Sequence, residues 1–272
     1  MKTSRLMKNI IKKQLRRLGF GEKVNTFNIG AQKCGTTTLH NTLVQHPEIY
    51  GPGPYKETHF WNGGPGSKSK ADYENLYPFF VPGIRLLDST PGYIMSEGTI
   101  RKIFDYNPNA KFILLLRDPV KRALSSWIML HYAFPLGSSL RGINVHDHRT
   151  FQEAIEDELQ SNKDQLTKNY LSRGYYAEQI QRELSFIPEE NYKISIVEED
   201  FYPKKQLFID EVLQFLNVSS IPLTLPHSNE SKSPQTKIET FPLEFTTLLK
   251  NHFLEKNRAL EILLNREIRT WK

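Results

Sequence analysis

Hydrophobic and polar positions change period repeatedly along the chain, which predicts strands and helices in turn. One apolar run, Lys-Phe-Ile-Leu-Leu-Leu, is continuous enough for a strand that is buried on both faces. The predicted strands are Val24–Ile29, Ile84–Leu87, Lys111–Leu116 and Tyr192–Val197. This alternation predicts an α/β fold in which a central, mostly parallel sheet lies between layers of helices.

A helix is predicted after each strand, and Pro residues at His46-Pro47 and Asn107-Pro108 end the first two. The predicted helices are Thr36–Gln45, Ser96–Tyr106, one from Asp118-Pro119 to about residue 132, Ser172–Phe186, Pro203–Leu216 and one over about 241–264. Two stretches rich in Gly, Pro, Ser and His, 51–70 and 134–150, are predicted to be long surface loops near a ligand cleft.

Residues 28–39 (Asn-Ile-Gly-Ala-Gln-Lys-Cys-Gly-Thr-Thr-Thr-Leu) resemble a phosphate-binding loop between a strand and a helix. Gly30 and Gly35 have the spacing of the nucleoside triphosphate loop G-x-x-x-x-G-K-[ST], but Thr36 stands where that loop has its lysine. The lysine is Lys33, inside the loop. Backbone amides and the helix N-terminus can still bind a phosphate. The pattern therefore favours a P-loop-like fold and a phosphate-bearing donor other than ATP.

Composition and charge divide the 272-residue chain into a body at 24–272, expected to be one domain, and a basic segment at 1–23. The segment holds eight basic residues and one acidic residue, whereas the whole chain has a net charge of only +6. Its apolar residues have helical spacing. It is therefore interpreted either as a peripheral contact with an anionic membrane or as a helix packed on the domain with a solvated basic face. The body has no basic, aromatic-interleaved patch, which argues against nucleic acid binding.

Cys34 is the only cysteine, so no internal disulfide is possible. A reducing, cytoplasmic location is the simplest expectation. No apolar run approaches the roughly 18 residues of a membrane-spanning helix, and the N-terminus lacks the features of a signal peptide.

Four segments, in order, resemble the sulfotransferases that use 3′-phosphoadenosine 5′-phosphosulfate, and they are most similar to the branch of heparan-sulfate-type and related bacterial carbohydrate enzymes. The first resembles the family's 5′-phosphosulfate loop, the second and third its carbohydrate-branch signatures, and the fourth its 3′-phosphate motif. They are Lys33-Cys34-Gly35-Thr36-Thr37-Thr38-Leu39, Lys56-Glu57-Thr58-His59-Phe60-Trp61, Asp88-Ser89-Thr90-Pro91-Gly92-Tyr93, and Leu116-Arg117-Asp118-Pro119 with Arg122 and Ser125.

The resemblance implies roles for particular residues. The nucleotide would be bound by Lys33, Cys34, Gly35, Thr36, Thr37, Thr38, Arg117 and Ser125. Glu57 is the predicted general base toward a sugar hydroxyl, Lys33 stabilises the leaving phosphate without a metal, and Lys56 neutralises a sulfonate oxygen or binds the acceptor. The alternatives are an ion pair of Arg117 with a carboxylate such as Asp118, and a Ser125 hydroxyl bonded to its own helix.

Other candidates have two interpretations each. His59 is a catalyst or a hydrogen-bonded packing residue, and Arg173 and Tyr176 approach the nucleotide or form a helix N-terminus with a packed tyrosine. Cys34 is a thiol activated by the helix N-terminus or simply a small loop residue. Near the C-terminus, Lys232 stands in for a Lys-Gly-Arg loop of the glycosaminoglycan enzymes that this chain lacks.

The acceptor is expected to carry a hydroxyl, first on a glycan and second on a lipid or small metabolite. Aromatic residues could stack on sugar rings or belong to the core; they are Trp61, Tyr73, Tyr77, Phe79 and Phe80. Two functions from other classes stay open: a P-loop kinase, which Thr36 disfavours, and a non-catalytic nucleotide-binding module, which Glu57 beside Lys33 disfavours.

Overall fold

The computed structural model describes residues 11–53, 55–64, 69–79, 83–134, 138–140, 143–160, 168–226 and 238–272. Within them, five parallel strands form one sheet in the order β2-β3-β1-β4-β7. The strands are β1 (Thr26–Gly30), β2 (Ile49–Tyr50), β3 (Arg85–Asp88), β4 (Lys111–Leu116) and β7 (Tyr192–Ile196), and a separate antiparallel pair is β5 (Ser139–Leu140) and β6 (Ile143–Asn144). The predicted α/β class with a parallel sheet is confirmed.

Helices follow most strands, as the parallel connections require. They are α1 (11–17), α2 (Thr36–Leu43), α3 (Lys70–Glu74), α4 (Thr99–Tyr106), α5 (Pro119–Ile128), α6 (Phe151–Gln160), α7 (Tyr176–Leu184), α8 (Lys205–Phe215) and α9 (Leu243–Leu264). The predicted helices agree with α2, α4, α5, α7, α8 and α9 to within a few residues. Short α3 and longer α6 were not predicted.

Two apolar cores hold these layers together. The larger surrounds the sheet, where β4 is buried at every position after Lys111 because helices cover both of its faces. The smaller core lies where α5, α6 and α9 meet, and its largest fully buried side chains include Trp127, Tyr170, Phe151 and Phe253. The β4 strand and α5 therefore join the two cores, and the segment between them, Arg117-Asp118, is held from both sides.

The aromatic residues considered for sugar stacking are mostly core. Trp61, Tyr73 and Tyr77 are buried and pack edge-to-face or tilted with one another and with Tyr106. Phe80 lies outside the described residues. The stacking interpretation is therefore wrong for these three buried side chains, since a ring with no exposed face cannot meet a sugar.

Helix α1 contacts the body through basic side chains. Lys12 Nζ donates to the Tyr77 carbonyl at 2.7 Å, Lys13 forms an ion pair with Asp72, and buried Arg16 donates to the carbonyls of two further residues, Glu22 and Pro78. In the described part of the segment the helix packs on the body as predicted, but its basic residues divide: Lys12, Lys13 and Arg16 pack, whereas Arg17 is exposed. Within the described residues, no helix is both long and apolar enough to cross a membrane.

Candidate phosphate-binding and catalytic site

The loop between β1 and α2 has the geometry of an anion site. Lys33 and Gly35 have φ values of 70° and 84°, so the chain turns sharply before α2 begins at Thr36. A side chain at Gly35 would strain that left-handed backbone even though no neighbour crowds it. Within the part of the chain that the structure describes, no side chain caps the first turn of α2, which leaves its backbone N–H groups available to a ligand.

Arg117 lies at the carboxyl end of β4, beside this loop. Its Nη1 donates to the Lys33 carbonyl at 3.2 Å, and its Nε lies 3.9 Å from a Glu198 carboxylate oxygen. Asp118 instead caps α5 by accepting from the backbone N–H groups of Val120 and Lys121. The alternative of an ion pair between Arg117 and a carboxylate is therefore met by Glu198 and not by Asp118. Arg117 keeps 27% of its side chain exposed, so part of its guanidinium remains accessible.

The charges around Lys33 are predominantly positive. Burial lowers the pKa of Lys33, and the positive charges of Arg117, Arg122 and Lys56 lower it further. Arg122 is fully buried on α5, where it donates to the Tyr170 carbonyl; its Nε and Nη1 have no partner among the described residues. An anionic ligand at the loop would relieve this repulsion, which is the electrostatic signature of a phosphate site.

Ser125 lies on α5, eight residues after Arg117, and it is half-buried. Within the described part of the chain, its hydroxyl forms no hydrogen bond of the kind that the alternative required, and only its carbonyl accepts, from the backbone of Met129. The structure therefore leaves the Ser125 hydroxyl available to a ligand.

Lys56, Glu57 and His59 form a connected group on the segment after β2. Lys56 Nζ donates to Glu57 Oε1 at 3.0 Å, and His59 Nε2 lies 3.2 Å from Glu57 Oε2. Lys56 Nζ also lies 3.4 Å from Thr36 Oγ1, which connects this group to the phosphate loop. Burial raises the pKa of Glu57, but the hydrogen bonds from His59 and Lys56 outweigh it and leave that pKa below its usual value. Glu57 is therefore ionised at neutral pH, and 40% of its side chain is exposed.

A buried carboxylate at the end of β3 positions that group. Asp88 is fully buried and accepts hydrogen bonds from the hydroxyls of Thr58, Tyr73, Thr90 and Tyr93 at 2.7–3.0 Å. Burial raises the pKa of Asp88 despite these donors. Thr58, the first of these donors in the sequence, directly follows Glu57. The Asp-x-Thr-Pro-x-Tyr segment therefore supports the Lys-Glu-x-His segment.

We expect Thr58→Val to lower the free energy of unfolding by about 2 kcal/mol, because it removes a hydrogen bond to a buried charged group without changing the side-chain volume. Urea denaturation followed by tryptophan fluorescence measures this change. Thr246→Val is the matched control, since the Thr246 hydroxyl bonds only to its own exposed helix and its loss should cost less than about 0.5 kcal/mol. Equal stability losses in the two variants would contradict the support by Asp88.

The remaining predicted residues lie behind the loop or outside the described residues. Cys34 is fully buried, and burial raises the pKa of its thiol to about 11, so the prediction of a small loop residue holds and that of an activated thiol does not. Tyr176 is buried and donates its hydroxyl to the Arg117 carbonyl at 2.8 Å. Arg173 is half-buried on the short turn before α7. Lys232 lies outside the described residues.

Three residues near the site were not singled out from the sequence. Glu198 follows β7 and accepts from the Asp118 backbone at 3.2 Å, and the Tyr202 hydroxyl lies against Gly35. His40 on α2 pairs its Nδ1 with the Ser89 hydroxyl at 2.8 Å, and burial together with the Lys56 charge lowers its pKa to about 4. Their positions after predicted strands or on α2 could have identified them as site candidates, because ligands in such sheets bind at the carboxyl ends of the strands.

Comparison with known proteins agrees with this geometry. The sulfotransferase family profile matches residues 69–172. The crystal structure of a sulfotransferase from Alicyclobacillus acidocaldarius superposes with a TM-score of 0.72 at 27% identity, covering 92% of this chain and 99% of that one. These matches support the sulfotransferase family for this chain. The matched profile begins after the phosphate loop and includes Asp88, Arg117 and Ser125.

Curated relatives extend the match toward glycan enzymes. A bifunctional heparan sulfate N-deacetylase/N-sulfotransferase of Mus musculus is 28% identical over 75% of this chain. A membrane-associated sulfotransferase of Dictyostelium discoideum is 25% identical over 90% of it. The chain spans 23% of the length of the mouse relative and 66% of the length of the Dictyostelium relative.

Proposed function

We propose that the chain transfers a sulfuryl group from 3′-phosphoadenosine 5′-phosphosulfate to a hydroxyl of a carbohydrate acceptor. The observation that carries this proposal is that anion-binding groups and an ionised carboxylate lie together at one edge of the sheet. On one side lie the uncapped α2 N-terminus, Lys33 and Arg117, and on the other lies the ionised Glu57. Lys56 connects the two through Thr36 and Glu57.

Two separate phosphate contacts suit this donor. The loop amides and Lys33 would bind the 5′-phosphosulfate, while Arg117 and the Ser125 hydroxyl would bind the 3′-phosphate. The orphaned polar atoms support the fit, since Arg117 Nε and two nitrogens of Arg122 lack hydrogen-bond partners among the described residues. Arg122 is too buried to contact a ligand, so its positive charge would attract an anionic ligand electrostatically from beneath the site. Arg173 and Lys232 stay as predicted nucleotide contacts, whereas buried Tyr176 supports Arg117 through its carbonyl.

The transfer is an in-line displacement at sulfur. Glu57 accepts the proton of the acceptor hydroxyl as the new sulfur–oxygen bond forms. The bond from sulfur to the bridging phosphate oxygen breaks, its electron pair stays on that oxygen, and Lys33 stabilises the charge that develops there. Lys56 neutralises a sulfonate oxygen. His59 contacts the Glu57 carboxylate oxygen that Lys56 does not bind. We assign it as a positioning residue, because its contact is to Glu57.

A glycan acceptor is favoured by the heparan sulfate relatives and by one exposed aromatic side chain. Tyr55 directly precedes Lys56 and is 63% exposed, so it offers the stacking surface that buried Trp61 and Tyr73 cannot. The acceptor hydroxyl would then lie between Tyr55 and the Glu57 carboxylate.

Calorimetric titration tests the donor class. We expect adenosine 3′,5′-bisphosphate to bind at least about tenfold more tightly than ATP with Mg²⁺ under identical conditions. Arg117→Ala should weaken the bisphosphate roughly 10- to 100-fold, the value of a charged hydrogen bond, and should weaken AMP less. Arg269→Ala is the control, since that side chain is 82% exposed. Preference for ATP with Mg²⁺ would favour a kinase, and equal losses for bisphosphate and AMP would remove the 3′-phosphate contact.

A further inference from the structure

The end of α1 presents apolar side chains to solvent. Ile11 is 52% exposed, Leu18 is 73% exposed and Phe20 is 60% exposed. Ile11 and Leu18 are seven residues apart, so they lie on one face of the helix. Since Lys12, Lys13 and Arg16 face the protein, the usual polarity of a surface helix is reversed here.

Backbone hydrogen bonds at the C-terminal end of α1 fix the position of Phe20. Gly19 has φ 86°, its N–H donates to the Arg16 carbonyl at 3.0 Å, and the Phe20 N–H donates to the Leu15 carbonyl at 3.0 Å. These two bonds form a Schellman cap, which needs a left-handed residue at the position of Gly19. The cap fixes the direction in which Phe20 leaves the helix. The exposure of Phe20 is therefore set by a defined turn.

Basic residues line a cavity beside the helix that carries these apolar side chains. A cavity of about 400 Å³ opens beside α1, and exposed Arg17, Lys23 and Lys70 contribute to its wall together with buried Arg16. Its two acidic residues are Glu74, which accepts from the Tyr106 hydroxyl at 2.9 Å, and Asp105. Basic side chains thus outnumber acidic ones four to two in the wall.

We propose that this N-terminal surface, formed by Ile11, Arg17, Leu18, Phe20, Lys23 and Lys70, docks on an anionic phospholipid bilayer. The apolar side chains would enter the boundary between headgroups and acyl chains, and the basic side chains would contact lipid phosphates. The pairing of exposed Leu and Phe with three exposed cations favours a membrane over a soluble anionic glycan, which offers nothing to the apolar side chains. A second copy of the chain is disfavoured, because it would bring like charges together.

The topology sets the orientation of the docked protein. Lys23 precedes β1 and Asp105 precedes β4, so the N-terminal surface lies at the amino ends of these parallel strands. The phosphate loop and Arg117 lie at the carboxyl ends of the same two strands. Docking therefore turns the catalytic edge away from the lipid and toward the aqueous side. This orientation separates membrane contact from the acceptor, which need not be a lipid.

Co-sedimentation of the full chain with vesicles tests the proposal. We expect binding to phosphatidylcholine vesicles that contain about 30% phosphatidylglycerol, and little binding to pure phosphatidylcholine. The double variant Leu18→Ser/Phe20→Ser should lose at least about tenfold in partitioning, and Arg17→Gln should lose roughly fivefold. Ile262→Ser is the matched control, because Ile262 is 74% exposed on α9, and it should bind as the wild type does.

Several outcomes would overturn the proposal. They are equal binding to both vesicle types, equal loss in the Ile262→Ser control, and a wild-type dimer in light scattering that Leu18→Ser/Phe20→Ser converts to a monomer. Titration with adenosine 3′,5′-bisphosphate and urea denaturation establish that each variant is folded. Unchanged bisphosphate binding in a variant that no longer binds vesicles supports a docking surface separate from the catalytic edge.

Discussion

Replacing Glu57 by glutamine should lower the rate of sulfuryl transfer by about 10²- to 10⁴-fold, the usual contribution of a general base. Glutamine keeps the size of the side chain and can still bond to Lys56 and His59, but it cannot take the acceptor proton. The affinity for adenosine 3′,5′-bisphosphate should change little, since Glu57 lies on the acceptor side of the site. The measurement is transfer of labelled sulfuryl from the phosphosulfate donor to a panel of glycans, beside calorimetry with the bisphosphate.

The pH dependence adds a second readout for Glu57. Because hydrogen bonds from His59 and Lys56 keep the pKa of Glu57 below its ordinary value, wild-type turnover should persist into mildly acidic solution and fall only as Glu57 takes up a proton. Glu57→Gln should lose this acidic limb. Glu97→Gln, at an exposed position, is the control and should behave as the wild type does. Normal turnover in Glu57→Gln would remove Glu57 from the mechanism.

Replacing Lys33 by alanine should lower the rate of transfer by about 10²- to 10³-fold, comparable to the loss of an oxyanion-stabilising donor. The ammonium group is needed most where charge develops on the leaving phosphate oxygen, so the rate should suffer more than the donor affinity. Single-turnover transfer separates the two effects when it is measured at saturating and limiting donor concentrations.

Lys33→Arg and Lys102→Ala complete the series for Lys33. Arginine keeps the charge but not the compact ammonium group, so partial activity is expected. Lys102 is exposed on α4, and its loss should leave the rate unchanged. A Lys33→Ala variant that loses donor affinity but keeps its rate at saturation would show that Lys33 only binds the ground state.

The sheet and the phosphate side of the site followed closely from local pattern. The strand Lys111–Leu116 was predicted with its observed bounds, because a run buried on both faces has no ambiguity of period. Arg117 then had to lie at the carboxyl edge of the sheet. Asp118 and Pro119 start α5 as predicted, with the Asp118 carboxylate accepting from the first turn.

Two helices were missed although their start signals are present. Helix α6 begins with a capping box in which Thr150 and Glu153 exchange side-chain and backbone hydrogen bonds, and Ser69 accepts from the Asp72 backbone in the same way ahead of α3. The antiparallel pair β5 and β6 also falls in a stretch predicted to be a loop. Gly and Pro nearby obscured these local signals.

Contacts between distant segments could not be predicted. Nothing local shows that Asp88 would be bonded to Thr58, thirty residues earlier, or that Trp61 would be buried against Tyr106. Helical spacing in 11–18 identified an amphipathic helix, but spacing alone does not say which face packs. The Asp72 carboxylate and the Tyr77 carbonyl, which attract the basic face, become neighbours of α1 only in the folded chain.

Among the described residues, the hydrogen-bond donors of Asp88 are neutral hydroxyls, which predicts two different responses to ionic strength. Buried hydroxyls hold the Glu57 segment, and dissolved ions do not screen such contacts, whereas Lys33 and Arg117 would attract the proposed donor through partly exposed charges that dissolved ions do screen. Added salt should therefore raise the KM for the donor while leaving kcat nearly constant. The protein would keep its chemical competence in concentrated electrolyte and lose only its capture of the nucleotide.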